Sequence, residues 1–265
     1  MNTLRIATAQ FPVSAHIKRN LTYMTDLIKR AKKKRADIAH FSEACLGGYA
    51  GVEFNSWEGY DWEALNDSEQ QLRELAKDLN IALVYGTNYR AAQNDIRNAL
   101  VHISNEGKRV CRYDKRFCTS GDLKFYTAGK RFITFEINGF KCGLLICYDV
   151  RFPELYRAYK KRHVQILFQS FYNARKEAAN IHTQIMRQSM QAHAATNYFY
   201  ISGNNSSGYY QSWPSIFVLP DGTIQSSCRQ HRTDLIINEI SSQDRFYDAS
   251  GAYRDRAVAG TLYSQ

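Results

Sequence analysis

The sequence predicts a single mixed α/β domain, and three observations carry that prediction. Residues 5–41 run strand, helix, strand: an alternating stretch, an apolar stripe at helical spacing, then a short apolar run. That is the βαβ pattern of a sheet covered by helices. Further on, Asn105-Glu106-Gly107, Asn138-Gly139 and Pro220-Asp221-Gly222 separate apolar runs in the manner of hairpin turns. A chain of 265 residues can also bury a large core. No linker, repeat or low-complexity segment interrupts it, so residues 1–265 are expected to form one domain.

Taken in order, residues 5–11 read as a strand. Residues 17–35 read as a helix through Leu21, Met24, Leu27, Ile28 and Ala31, and 38–41 as a short strand. Residues 47–66 form a loop carrying Tyr49, Phe54, Trp57, Tyr60 and Trp62. It either walls a substrate pocket or packs on the surface or on another subunit. A helix at 68–80 and a strand at 81–85 follow. Hairpins are expected at 98–113 and 132–147, a helix at 153–162 and a strand at 164–169. Residues 177–197 show helical spacing through Ile181, Ile185, Met186 and Met190. Strands at 198–202, 215–219 and 234–240 precede a polar, aromatic tail at 247–265.

Composition narrows the function. An apolar content of 44% with 23% charged residues is that of an ordinary soluble domain. No run approaches the ~20 apolar residues of a membrane helix, and the N-terminus shows no signal-peptide core, so no membrane role and a cytoplasmic location are expected. The net charge of +10 raises nucleic-acid binding. However, the densest basic run, Lys29 to Arg35, ends a helix, where cations suit the dipole and the solvent face, so no nucleic-acid partner is expected. Six cysteines without C-x-x-C spacing argue against a zinc ribbon or a thioredoxin-like site. Seven histidines offer no recognised protease context. His182 and His193 stand eleven residues apart on one expected helix, a spacing that suits packing or caps.

Chemistry is expected at Gly143-Leu144-Leu145-Ile146-Cys147-Tyr148-Asp149-Val150-Arg151-Phe152-Pro153-Glu154-Leu155-Tyr156-Arg157. An apolar strand ends at Cys147, and Pro153 fits the first turn of a helix. A cysteine on such a turn can expose its sulfur beside a free backbone N–H. Alone, a free cysteine is usually a small buried hydrophobe. An isolated Glu43 would read as a surface or capping carboxylate, and an isolated Lys115 as a solvated cation. Two further stretches change the weighing. Phe41-Ser42-Glu43-Ala44-Cys45-Leu46-Gly47-Gly48-Tyr49 and Tyr113-Asp114-Lys115-Arg116-Phe117 each set one charged residue near a strand end.

With these three stretches the chain resembles the nitrilase superfamily of carbon–nitrogen hydrolases. That family carries Glu in an F-P-E-x-x-x-x-G-Y-like segment and Lys in a Y-x-K-x-H-L-like one. Its Cys lies in a G-x-x-I-C-Y-D-x-R-F-P-E-like segment. The resemblance implies a four-layer α-β-β-α sandwich. Glu43 would be the base, Lys115 the oxyanion holder and Cys147 the nucleophile, with the N–H of Tyr148 as a second oxyanion donor. It also implies a homodimer or larger homo-oligomer, with the tail at 247–265 at a subunit interface, and no metal or organic cofactor.

Departures from the family pattern stand beside the match. Asp122 occupies the segment where many members carry a second Glu, one methylene longer. Phe117-Cys118 replaces His-Leu, and Thr196 replaces a Glu beside Asn197. Asp149 and Arg151 form either a structural ion pair, or Arg151 faces the substrate. Val150, where carbamoylases can place another Arg, weakens the second reading. The expected activity is hydrolysis of a small linear amide or N-carbamoyl compound through a cysteine thioester. The alternative is a catalytically weak, family-shaped protein that binds a metabolite or partner.

Overall fold

Strand β1 (Thr3–Gln10) shows how the layers arise. Its alternation sends Leu4, Ile6 and Thr8 to one side and Ala7 and Ala9 to the other, and all five are fully buried. A strand buried on both faces needs a covering layer on each. The computed structural model, which describes residues 1–173 and 181–264, supplies both. Helices α1 (Ile17–Lys33) and α2 (Trp62–Asp78) cover one face. A second sheet covers the other.

The first sheet continues with β2 (Ile38–His40), β3 (Ala82–Ala92), β4 (Asp95–Ile103) and β5 (Arg109–Asp114). The second holds β6 (Thr134–Ile137), β7 (Phe140–Ile146), β8 (Ile166–Phe171), β9 (Tyr200–Asn205), β10 (Ile216–Val218) and β11 (Ile224–Ser227). Strand β12 (Asp234–Ser241) returns to the first sheet beside β1. The strand orders are β12-β1-β2-β3-β4-β5 and β11-β10-β9-β8-β7-β6. Each sheet has a parallel trio, β1-β2-β3 and β7-β8-β9, extended by antiparallel strands on both sides. The two sheets therefore share one topology. Helices α3 (Pro153–Lys161) and α4 (Ile181–Asn197) cover the outer face of the second sheet. These are two mixed sheets flanked by helices in one domain, as the resemblance implied.

Several boundaries differ from the sequence expectation. Helix α2 starts at Trp62 rather than at 68, because the Asp61 carboxylate accepts from the Ala64 N–H at 2.8 Å and caps it. Strand β3 runs on through Gly86 to Ala92. A short 3-10 turn, Cys147–Arg151, stands between β7 and α3. Residues 177–180 of the helix expected at 177–197 lie outside the described residues, and His182 and His193 both stand on α4, as expected. The tail carries a short helix, α5 (Arg254–Ala259), held by Arg254. That guanidinium pairs with Asp248 and donates to the Thr196 carbonyl at 3.1 Å.

Candidate active site

Glu43 lies just past β2, and its backbone is threaded through a narrow gap. Ala44 has a φ of +51°, and a Cβ on Gly86 would stand 2.3 Å from the Ala44 nitrogen. Only glycine lets strand β3 pass this close to the loop. The Glu43 side chain is fully buried. Its Oε1 accepts from Lys115 Nζ at 2.8 Å and from Asn98 Nδ2 at 2.7 Å, and its Oε2 accepts from the Tyr172 N–H at 2.8 Å.

Lys115 follows β5 and is 1% exposed, so its ammonium is held by partners rather than by water. Besides Glu43 it meets Asp122 Oδ2 at 2.9 Å, and it lies 5.7 Å from the centre of the Tyr49 ring. Asp122 in turn accepts from the Tyr49 hydroxyl and from the Thr119 N–H. Gly129 backs Lys115: its N–H donates to the Lys115 carbonyl at 2.8 Å.

Cys147 directly follows β7 with a φ of +40°, a left-handed conformation that is strained for a residue with a Cβ. Asp149 fixes this elbow. It accepts from the Tyr113 hydroxyl at 2.7 Å and from the N–H groups of Ile146 and Phe117, both at 3.0 Å. The expected alternative, a pairing of Asp149 with Arg151, is therefore not what braces the turn, since other donors take the carboxylate. Arg151 is exposed and is not among the described residues lining the cavity. Phe117, one of the departures, stacks on Phe152 at 3.5 Å and ties the Lys115 segment to the elbow.

Lys115, Asp122, Cys147 and Tyr148 all border one cavity of about 460 Å³, whose other walls include Tyr49, Phe125, Tyr172 and Asn173. Glu43 sits directly behind Lys115. The aromatic loop divides between its two readings. Tyr49 walls the cavity and stacks on Tyr172 at 5.1 Å, whereas Phe54, Trp57, Tyr60 and Trp62 pack on one another beside it. Among the described residues no group of three or more His, Cys, Asp or Glu could hold a metal ion.

The charges are set by burial against pairing. Burial pushes Glu43 up, with Asp122 adding to it and Lys115 opposing; the net is a raised carboxyl. Burial alone would lower Lys115, but Glu43, Tyr49, Cys147 and Asp122 outweigh it and hold the ammonium charged. Burial would likewise raise Asp122, but Lys115 and the Tyr49 hydroxyl hold it below the usual carboxylate range. Burial, then the Glu43 carboxylate, pushes the Cys147 thiol up against Lys115, so at rest the sulfur keeps its proton.

Two site groups carry no clear signal in the sequence. Asn98 stands at an expected strand start, although its alternation with Leu100 and His102 aims it between the sheets. Tyr172 contributes a backbone N–H, which no side-chain motif reveals.

Comparison with known proteins agrees with this fold. Residues 5–245 match the carbon–nitrogen hydrolase family. The chain is 30% identical over 176 residues to the omega-amidase NIT2 of Mus musculus, covering 63% of each chain. It is 30% identical over 200 residues to a hydrolase in the agr operon of Staphylococcus lugdunensis, covering 72% of this chain and 82% of that one. An amidase from Nesterenkonia sp. superposes with a TM-score of 0.80 at 21% identity, over 96% of this chain and 97% of its own. A mutant of that amidase carries the acetamide moiety of fluoroacetamide, covalently added at its active-site cysteine. Among the described residues no helix is long and apolar enough to cross a membrane. With most of its length matched, the chain belongs to the carbon–nitrogen hydrolase family.

Proposed function

We propose that the protein hydrolyses the carbon–nitrogen bond of a small linear amide through a thioester on Cys147. One observation carries the reading: a thiol and a fixed ammonium border one cavity, with a fully buried carboxylate hydrogen-bonded to that ammonium. In the first step the sulfur attacks the amide carbon while its proton passes to Glu43. The amide oxygen becomes an oxyanion. An ammonium has three N–H donors; Glu43 and Asp122 take two, which leaves one for the oxyanion. The N–H of Tyr148 is its second donor.

Glu43 then protonates the nitrogen, the carbon–nitrogen bond breaks and ammonia or an amine leaves. Glu43 next takes a proton from water, whose oxygen attacks the thioester; expulsion of the sulfur gives the carboxylic acid and restores the thiol. Asp122 orients Lys115. The omega-amidase relative, and a mutant of the Nesterenkonia amidase solved in complex with butyramide, support a linear amide. The exposure of Arg151 weighs against its holding the carboxylate of an N-carbamoyl amino acid.

The test is ammonia release from a panel of linear amides, ω-carboxylated amides, N-carbamoyl compounds and nitriles, with Cys147→Ala as control. Release from amides that vanishes in the variant is the expected result. Release that persists in Cys147→Ala refutes the mechanism. Assembly is part of the reading: Tyr247, Tyr253, Leu262 and Tyr263 are exposed on the tail, which favours a homo-oligomer that covers them.

A further inference from the structure

The geometry points to His40 as a positioning residue that fixes Glu43 and Tyr172 against each other across the two sheets. This rests on the reading of Glu43 as the base. His40 is the last residue of β2, three before Glu43, and it is fully buried between the sheets. Its ring touches both ends of a directed chain of hydrogen bonds. The Ser170 hydroxyl donates to the Phe41 carbonyl at 2.7 Å, so Ser170 Oγ receives from His40 Nε2 at 2.9 Å. With the proton on Nε2, Nδ1 is an acceptor and takes the Ser202 hydroxyl proton at 2.8 Å. Ser202 Oγ then accepts from the Thr8 hydroxyl at 2.7 Å. One neutral tautomer satisfies every member, and the chain runs from β1 through β9, β2 and β8 back to the residue after β2.

Both ends of β2 and β8 that matter for chemistry lie just beyond this bolt. Phe41 leads through Ser42 to Glu43. Ser170 leads through Phe171 to Tyr172, whose N–H donates to Glu43 Oε2. A second rung lies between them, where the Glu43 N–H donates to the Phe171 carbonyl at 3.3 Å. Asn204 Nδ2 adds a tie by donating to the His40 carbonyl at 2.7 Å and to that of Ala9 at 2.9 Å. An aliphatic residue at position 40 would fill the space but leave the hydroxyls of Ser170 and Ser202 without their ring partners. The two strand ends could then slide by a fraction of the distance that separates a working base from an idle one. Burial also keeps the ring neutral, its pKa pushed down to about 3, so the tautomer persists across the working pH range.

The experiment compares wild type, His40→Leu, His40→Gln and Ser170→Ala. It reads kcat and KM for butyramide, or for the panel amide cleaved fastest, and backbone hydrogen–deuterium exchange. Glutamine can donate to Ser170 and accept from Ser202, so it is the rescue. His40→Leu is expected to lower kcat by roughly 10- to 100-fold with KM within about threefold. Exchange at the Glu43 and Tyr172 amides should speed up selectively, with helix α1 unchanged. His40→Gln should restore most of both. Should His40→Leu fail to fold, Ser170→Ala is read in its place with the same expectation. A folded variant with wild-type kcat and unchanged exchange at Glu43 and Tyr172 overturns the inference, as does uniformly faster exchange throughout the chain. Glu43→Gln in the same assay separates the two readings. Lost turnover there beside normal turnover in His40→Leu sinks only the positioning role. Full turnover in Glu43→Gln sinks the base.

Discussion

Replacing Lys115 by methionine should destabilise the protein in a pH-dependent way, with the larger cost at the higher pH. The ammonium stands 2.8 Å from Glu43 Oε1 and 2.9 Å from Asp122 Oδ2. At an effective dielectric constant of about 20, each contact corresponds to about 6 kcal/mol of gross attraction, most of which offsets the cost of burying the charges. Methionine fills similar volume but leaves two carboxylates in a dry pocket. Stranding a buried charge costs about 3–5 kcal/mol. The carboxyls can escape by taking up protons. Without Lys115, burial and mutual repulsion raise both groups in the folded state above their unfolded values, so the folded variant binds more protons than the unfolded chain. Its stability is then greatest in acid and is lost as pH rises through the raised values, by up to ~1.4 kcal/mol per pH unit for each carboxyl. Urea denaturation followed by tryptophan fluorescence at pH 5.5 and pH 8 measures this, since Trp213 is buried in the core. A penalty equal at the two pH values, or smaller than about 1 kcal/mol at pH 8, would refute the role of Lys115 as the counter-charge for both carboxylates.

Three other outcomes are expected. Gly86→Ala places a methyl against the backbone of Ser42 and Ala44, so kcat should fall about 100-fold while the far-ultraviolet circular dichroism is kept; normal kcat would show that the loop has room. Asp122→Asn keeps the shape and removes the charge. It should lower kcat by roughly tenfold or more with little change in KM, and a rise in KM alone would make Asp122 a substrate-binding group instead. Glu43→Gln removes the carboxylate that helps to push the Cys147 thiol up, while Lys115 stays. Alkylation of Cys147 by iodoacetamide, followed by mass spectrometry, should therefore shift to lower pH even as hydrolysis is lost. A shift to higher pH would contradict that balance of charges around the sulfur.

The parts of the fold that are legible are those where one local force dominates. Asn138 and Gly139 both have positive φ, the backbone their dipeptide favours, and the hairpin falls where the sequence puts it. Helix α1 is readable because Met24, Leu27, Ile28 and Ala31 all turn to the sheet. Legibility fails where polar residues are buried. Strands β8 and β9 run on through Ser170 and Phe171, and through Gly203, Asn204 and Asn205, past the apolar stretches that suggest them. Their serines and asparagines are satisfied by the opposite sheet, which one strand's pattern cannot reveal. Gly86 reads as a strand end in the sequence, whereas in the fold it marks a close crossing. At the site, the motif stretches name the cavity-lining residues Lys115, Asp122 and Cys147 and the Glu43 behind Lys115. Asn98 and the Tyr172 N–H reach Glu43 only through tertiary packing.

The placement of β12 governs when the molecule can exist at all. It pairs with β1 residue by residue, from Thr3 opposite Ser241 to Gln10 opposite Asp234. Thus β1 lacks its neighbour on one side until residues 234–241 have been made. A nascent or truncated chain ending before them exposes a bare, largely apolar strand, the kind of edge that recruits other chains. Synthesis and maturation are coupled as in a clasp: the first strand waits for the last. Cys147 follows a strand of the other sheet, so partial chains are expected in aggregates or with chaperones rather than as feeble enzymes.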